Sequence, residues 1–257
     1  MCDKSKPIFC TARVFSCEKI ANDVYKLVLK ADCPSPTAGQ FFMLKANPSN
    51  VMLARPISVF MSHKDDSGLV TIEFLILLKG QGTKELCSLE KNDLVDLLGP
   101  VGNGFEKPQS REKVAIVGGG IGVAPVAGFA STLEKDSYSF FASFKSGSYG
   151  LDHIQPNNLV ISTDDGTVGT KGILPAIFNE EIIQKNAYSL VYACGPERML
   201  EYVQKTCNSA GIACYLSLET KMACGVGACL GCTISTTEGN KRCCKDGPVF
   251  NGKVLQF

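Results

Sequence analysis

The chain has 257 residues, 45% of them apolar, which is enough to furnish cores for one large or two modest domains and too much for a disordered or fibrous protein. Its 26 basic and 25 acidic residues nearly cancel, so overall charge gives no sign of a nucleic-acid or membrane-surface partner, either of which needs a basic excess on one face. Thirteen cysteines, with no apolar run of signal-peptide or membrane-span length, predict a cytoplasmic chain in which most thiols are small buried hydrophobes and any tight cluster binds metal.

From about Arg13 to Gly104, short β-branched and aromatic runs alternate with turn residues: Val24–Leu29, Phe41–Leu44, Ile57–Phe60, Val70–Leu77 and Leu94–Leu98. That spacing predicts an antiparallel sheet or barrel with one short helix around Thr83 to Leu89. Arg55-Pro56-Ile57-Ser58 enters one of these strands, and Gly80-Gln81-Gly82-Thr83 precedes the helix. An arginine, a hydroxyl and a helix start suit a flavin's pyrophosphate and ring edge. Taken alone, so short a pattern reads as a surface arginine and an ordinary turn.

The turn-rich stretch Val101 to Pro108 marks a boundary, after which strands alternate with helices. Val114–Val117, Tyr138–Phe144, Leu159–Ser162 and Ser189–Ala193 read as strands, with helices from the glycine turn through Leu133 and from Ile173 to about Lys185. Together they predict a doubly wound α/β domain ending near Leu216. Gly118-Gly119-Gly120-Ile121-Gly122 and Cys194-Gly195-Pro196 each follow a strand and open a helix, at the edge where such sheets bind dinucleotides. Val123 stands where the fingerprint's last glycine would fall, so the turn alone is a phosphate site or a tight strand-to-helix connection. Cys194 has no histidine near it in sequence, and His63 and His153 lie in polar, loop-like surroundings that predict solvated side chains. No catalytic acid or base is assigned.

The last forty or so residues are rich in Gly and Cys. Cys224-Gly225-Val226-Gly227-Ala228-Cys229-Leu230-Gly231-Cys232 has four residues in its first gap and two in its second, with a further thiol at Cys243 or Cys244. This is the plant-type spacing of a [2Fe–2S] cluster. Gly225, Gly227 and Gly231 let the loop adopt positive φ and bring amides to the sulfurs. A Cys₄ zinc site is the competing reading, although zinc ribbons pair two short knuckles instead. Adjacent residues on an extended strand face opposite ways, so only one of Cys243 and Cys244 is expected to reach the cluster; geometry leaves open which.

In this order the motifs resemble the ferredoxin-reductase superfamily and, within it, the electron-transfer subunits of NAD-dependent dihydroorotate dehydrogenase. The resemblance rests on Arg55 to Ser58, Gly80 to Thr83, Leu98 to Phe105, Gly118 to Pro125, Ser162 to Thr167, Cys194 to Pro196, and Met222 through Cys244-Lys245-Asp246-Gly247-Pro248-Val249-Phe250. It implies an FAD-binding β-barrel over 1–107, an NAD(P)-binding α/β domain over 108–216 and a [2Fe-2S] domain over 217–257. FAD would be held by Arg55, Pro56, Ile57, Ser58, Leu75, Ile76, Leu77, Gly82 and Thr83, and the nicotinamide nucleotide by Gly118, Gly119, Gly120, Gly122, Cys194, Gly195 and Pro196. Cys224, Cys229, Cys232 and Cys244 would ligate the cluster. The family passes electrons from an FMN-containing catalytic subunit to NAD⁺ in pyrimidine biosynthesis, in a heterotetramer of two plus two subunits. Two other readings stand beside it: a subunit of a ferredoxin-dependent NADP oxidoreductase, and a zinc-stabilised binding protein. After the second α/β strand, Phe144-Lys145-Ser146-Gly147-Ser148 offers a lysine and no acidic residue for a ribose 2′-hydroxyl.

Overall fold

The computed structural model describes residues 6–257. Strands β1 (Ile8–Ala21), β2 (Val24–Ala31), β3 (Phe41–Asn47), β4 (Arg55–Lys64), β5 (Val70–Leu77) and β6 (Leu94–Val101) close an antiparallel barrel in the order β1-β2-β5-β4-β3-β6, with α1 (Gln81–Cys87) between β5 and β6. Five of the strands and the helix fall on the expected runs. The unforeseen one is β1, whose outward positions include Phe9 and Phe15, 70% and 51% exposed, while Ala12 and Val14 point inward. Apolar residues on both faces erase the in-out alternation by which a half-buried strand is recognised. Closure leaves no free sheet edge and fills the interior with alternate side chains such as Leu27, Leu29, Leu44, Ile72 and Leu97. Phe42 and Phe74 meet there edge to face with ring centroids 6.0 Å apart.

The α/β unit runs β7 (Val114–Gly119), α2 (Val123–Ala130), β8 (Tyr138–Phe144), β9 (Asn158–Thr163), β10 (Thr170–Lys171), α3 (Glu180–Asn186), β11 (Leu190–Cys194), α4 (Glu197–Ser209) and β12 (Ala213–Ser217). The C-terminal segment adds the hairpin β13 (Thr233–Thr236) and β14 (Gly239–Arg242), the single turn α5 (Cys243–Asp246), and β15 (Val249–Asn251). The larger sheet has the order β10-β9-β8-β7-β11-β12-β15 and is parallel except for β15, which runs antiparallel to β12. From β7 the chain passes to β8 on one side, while β11 lies on the other, so the topological switch point falls between β7 and β11. In open α/β sheets ligands bind in the crevice outside the strand ends there.

Two expectations are corrected. The helix from Ile173 to Lys185 is broken into a 3-10 turn, Leu174–Ala176, and α3. Asn179 stands extended between them, and its side-chain oxygen accepts the Ile182 amide at 3.0 Å, a cap that starts a new helix. His153 is not solvated: its ring packs edge-on against Phe60, centroids 4.7 Å apart, and its Nε2 is buried with no hydrogen-bond partner. It lies where the barrel and α2 press together, so closely that a Cβ on Gly128 would run into the Phe60 carbonyl oxygen. Among the described cysteines all are free thiols; Cys33, Cys87, Cys194, Cys207 and Cys214 are buried as expected, Cys10 and Cys17 partly so. Cys2 lies outside the described residues. Among those residues no helix is long and apolar enough to cross a membrane.

Burial pushes the His153 imidazole below its ordinary value, outweighing the Ala127 backbone contact and the Glu73 and Asp152 carboxylates that favour the charged form. A base kept neutral in the fold and free to protonate in the unfolded chain contributes stability above its unfolded pKa, about 6.5, and that stability is lost as pH falls below it. Urea unfolding between pH 7.5 and 5 should therefore show stability declining through that range, with a shallower decline in His153→Gln. Equal slopes for the two proteins would remove His153 from the account.

Candidate functional site

A cavity of about 210 Å³ lies where the barrel meets the carboxyl edge of the sheet. The barrel lines it with Arg55, Pro56, Ile57, Ser58, Leu75, Leu77 and Thr83, the sheet with Gly122 and Cys194, and the segment after β12 with Leu218, Glu219, Thr220 and Met222. A larger cleft of about 930 Å³ opens between the barrel, α2 and β15, but none of the residues expected to bind a cofactor lines it. Motifs far apart in sequence thus converge on the smaller cavity.

Strand alternation decides which side chains take part. Leu75 and Leu77 face the cavity, whereas Ile76 is in the barrel core at 1% exposure, leaving it only its backbone to offer. The Arg55 guanidinium lies over Gly82, where a Cβ would collide with Nε. The Thr83 hydroxyl accepts the Lys79 and Gly80 amides at 2.9 and 3.1 Å and donates to the Gly80 carbonyl at 3.0 Å. It is spent on shaping the turn.

At the switch point the two glycine turns touch. A Cβ on Gly122 would stand 2.6 Å from both the Cα and N of Gly195. Gly120, at φ +52°, has nothing near its missing side chain, while Gly118 and Gly119 are packed against Val123 and Met199. Of the predicted glycines only Gly122 lines the cavity. Gly195 and Pro196 stand behind it, with Pro196 closing on Gly119. Burial pushes the Cys194 thiol up to about 12, and the Glu219 carboxylate adds to this, both disfavouring the thiolate.

Beyond this cavity the four predicted ligand thiols form two pairs. Burial by itself would raise the Cys224 thiol, but the amides of Cys229, Val226 and Ala228 and the Cys229 side chain carry it down to about 6. The second pair is closer to the interior: Cys232 and Cys244 are both buried, with sulfurs 3.3 Å apart. Backbone amides approach the sulfurs of Cys224, Cys229 and Cys232, from Cys229 at 3.4 Å, Gly231 at 3.5 Å and Cys244 at 3.5 Å. Among the described residues no three of His, Cys, Asp and Glu converge as one metal ion requires. Two thiol pairs lined with N–H donors fit a two-iron core, which takes two thiolates per iron and is tuned by hydrogen bonds to sulfur, better than a tetrahedral zinc.

Two details differ from expectation. Cys243 and Cys244 open the helical turn α5 instead of lying on an extended strand, and they still diverge: Cys244 joins Cys232, while the Cys243 thiol faces the Leu218 carbonyl at 3.5 Å. In the loop, positive φ belongs to Gly225 (+70°), Gly227 (+79°) and Leu230 (+60°), not to Gly231. Leu230 takes this disfavoured conformation just before the amide of Gly231 that approaches Cys229. The Arg242 amide and guanidinium reach Asp246 at 2.7 and 3.2 Å, and the same guanidinium holds the Gly227 carbonyl at 3.4 Å, tying the loop to α5.

Sequence reasoning missed Leu218, Glu219 and Thr220 as cavity residues. Their only signal was position: they join the sheet's last parallel strand to the first cysteine, and so must cross the carboxyl edge. Leu218 is anchored there by its amide on the Pro248 carbonyl at 2.9 Å.

A flavin-type barrel, a switch-point crevice and a four-cysteine loop meeting at one place define an oxidoreductase of the ferredoxin-reductase type. Residues 11–105 match the family model described as an oxidoreductase FAD-binding domain, and residues 219–256 that of the iron-sulfur cluster binding domain of dihydroorotate dehydrogenase B. Among solved structures, the fold is shared with one described as an NADH-dependent reduced ferredoxin-NADP oxidoreductase, at a TM-score of 0.78 and 23% identity, covering 95% of this chain and 89% of that one. The dihydroorotate dehydrogenase B (NAD(+)) electron transfer subunit of Clostridium acetobutylicum is 39% identical over 252 residues, 97% of this chain and 98% of its own length. That of Caldanaerobacter subterraneus is 35% identical over 251 residues, 96% and 98% of the two chains. The chain belongs to the family of dihydroorotate dehydrogenase B electron transfer subunits.

Because Gly122 and Gly195 are in backbone contact, Gly122→Ala should separate the two turns. It is expected to destabilise the fold by about 1–3 kcal/mol, the usual cost of overpacking, as read by urea unfolding. A stability within error of the parent would show that the turns have room to spare.

Proposed function

We propose that this chain carries FAD in the cavity and a [2Fe–2S] cluster on Cys224, Cys229, Cys232 and Cys244, and passes electrons from an FMN-containing dihydroorotate dehydrogenase catalytic subunit through both to NAD⁺. The observation that carries this reading is a shared wall: residues 218–220 line the cavity on one side, and the Leu218 carbonyl receives the thiol of Cys243, the neighbour of Cys244, on the other. When bound, FAD exchanges two electrons together with a nicotinamide and single electrons with a cluster.

The chain's own residues position that exchange. Arg55 places a permanent positive charge over Gly82 for a pyrophosphate. Ser58 provides a hydroxyl for the ring edge, and Leu75 to Leu77 with Pro56 and Ile57 give an apolar bed. Gly122, Cys194 and the turns behind them form the entrance for the nicotinamide nucleotide, with Gly120 open for a phosphate. We assign the units 1–107, 108–216 and 217–257 to flavin, nucleotide and cluster respectively.

NAD in preference to NADP is supported by Asp165, in the loop after β9. The Ser146 hydroxyl, followed by the Thr167 amide and hydroxyl, holds its carboxyl down to about 2. The stretch Lys145 to Ser148 after β8, which has no acid of its own, thus lies beside a carboxylate from the loop after β9, an acceptor for a 2′-hydroxyl and a repellent for a 2′-phosphate. The partner subunit is expected to cover the exposed Cys229 and the neighbouring Val226 and Leu230, 45% and 61% exposed, in a two-plus-two assembly.

Two measurements test the reading. Cys244→Ser should abolish the cluster's visible absorbance while Cys243→Ser keeps it, and cluster loss only in the second protein would overturn the ligand assignment. Asp165→Ser should raise the ratio of NADPH to NADH turnover by about tenfold or more, a change equivalent to about 1.4 kcal/mol; an unchanged ratio would take Asp165 out of the selectivity.

A further inference from the structure

Thr220 is a side chain for which the protein provides no strong partner. Its hydroxyl oxygen is one of three buried side-chain polar atoms among the described residues that make no hydrogen bond, the others being on Thr71 and His153. Only Thr220 lines the cavity between Arg55, Ser58 and Cys194. Its polar neighbour is the Cys243 thiol, and a thiol is a weak partner for a hydroxyl. An unsatisfied buried hydroxyl is costly, and native proteins keep such groups where a ligand or water completes them. Thr220 is also held in place from both ends. Leu218 is fixed to Pro248 through its amide and to Cys243 through its carbonyl, and Met222 packs against the hydrophobic core that contains Cys232 and Cys244.

We infer that the Thr220 hydroxyl hydrogen-bonds the polar edge of the bound flavin ring and helps set its reduction potential from the side facing the cluster. This inference rests on the reading of the cavity as the FAD site. It adds a flavin contact contributed by the C-terminal segment, outside the barrel motifs, so flavin and cluster are positioned by the same short stretch of chain.

The test compares Thr220→Val and Thr220→Ser with the parent, all with the cluster intact as judged by visible circular dichroism. FAD affinity is read by fluorescence on flavin-depleted protein, and the flavin midpoint potential by spectroelectrochemical titration. The valine, which keeps the shape and removes the hydroxyl, should weaken FAD binding by about fivefold or more, as expected for one lost hydrogen bond, and should shift the flavin midpoint while leaving the cluster's in place. The serine should restore both. Parent-like affinity and midpoint in Thr220→Val would overturn the inference, as would a serine variant as impaired as the valine, which would point to packing. A parent protein that binds no FAD would instead overturn the reading of the cavity itself.

Discussion

The segment from Leu218 to Met222 is the constraint on which the rest of the site depends. Its position follows from strand pairing. Once β12 is hydrogen-bonded to β11 on one side and β15 on the other, the chain leaving Ser217 must cross the carboxyl edge of the sheet. The Leu218 amide is fixed to the Pro248 carbonyl at 2.9 Å, which leaves the following residues between the barrel cavity and the thiols. An electron carrier needs its two centres near each other but in separate surroundings, and one strand of wall a few residues long meets both needs. It holds none of the four candidate ligand thiols and none of the barrel residues of the cavity.

Close backbone approach keeps that arrangement rigid. Gly128 in α2 lies against the Phe60 carbonyl of β4, Gly122 against Gly195, and Gly225 against Met43 of the barrel. At each, a methyl group would have to displace backbone or a packed side chain, and interiors at near-crystalline density have little slack to absorb it. The barrel, the sheet and the cysteine loop are therefore packed on one another, and the distance between cavity and thiols is built into the fold.

Much of this was legible in the sequence, for identifiable reasons. Strands β2 to β6 were visible as apolar runs bounded by turn residues, the sheet through Val114 to Val117 and Ser189 to Ala193, and Cys224, Cys229 and Cys232 through their spacing, which left the fourth thiol open between Cys243 and Cys244. What stayed hidden depended on tertiary contacts. Strand β1 shows apolar residues on both faces; the helix begun at Ile173 gives way at Asn179 because a side-chain cap outcompetes continuation; His153 sits in a polar stretch but is half-buried against Phe60. The pairing of Cys244 with Cys232 depends on the turn α5, and the strained residue of the loop is Leu230, not the glycine beside it. Thr220 and Glu219 carry no motif, and only the topology of β12 and β15 brings them to the cavity.

The most direct test of the central claim is rapid freeze-quench electron paramagnetic resonance of the FAD- and cluster-loaded protein after anaerobic mixing with NADH, with flavin absorbance followed in parallel. If one thin wall separates the two centres, the signal of the reduced cluster should grow as the flavin bleaches and lag it only slightly, without any catalytic subunit present. A flavin that bleaches fully while the cluster stays oxidised, although dithionite reduces it, would contradict the account.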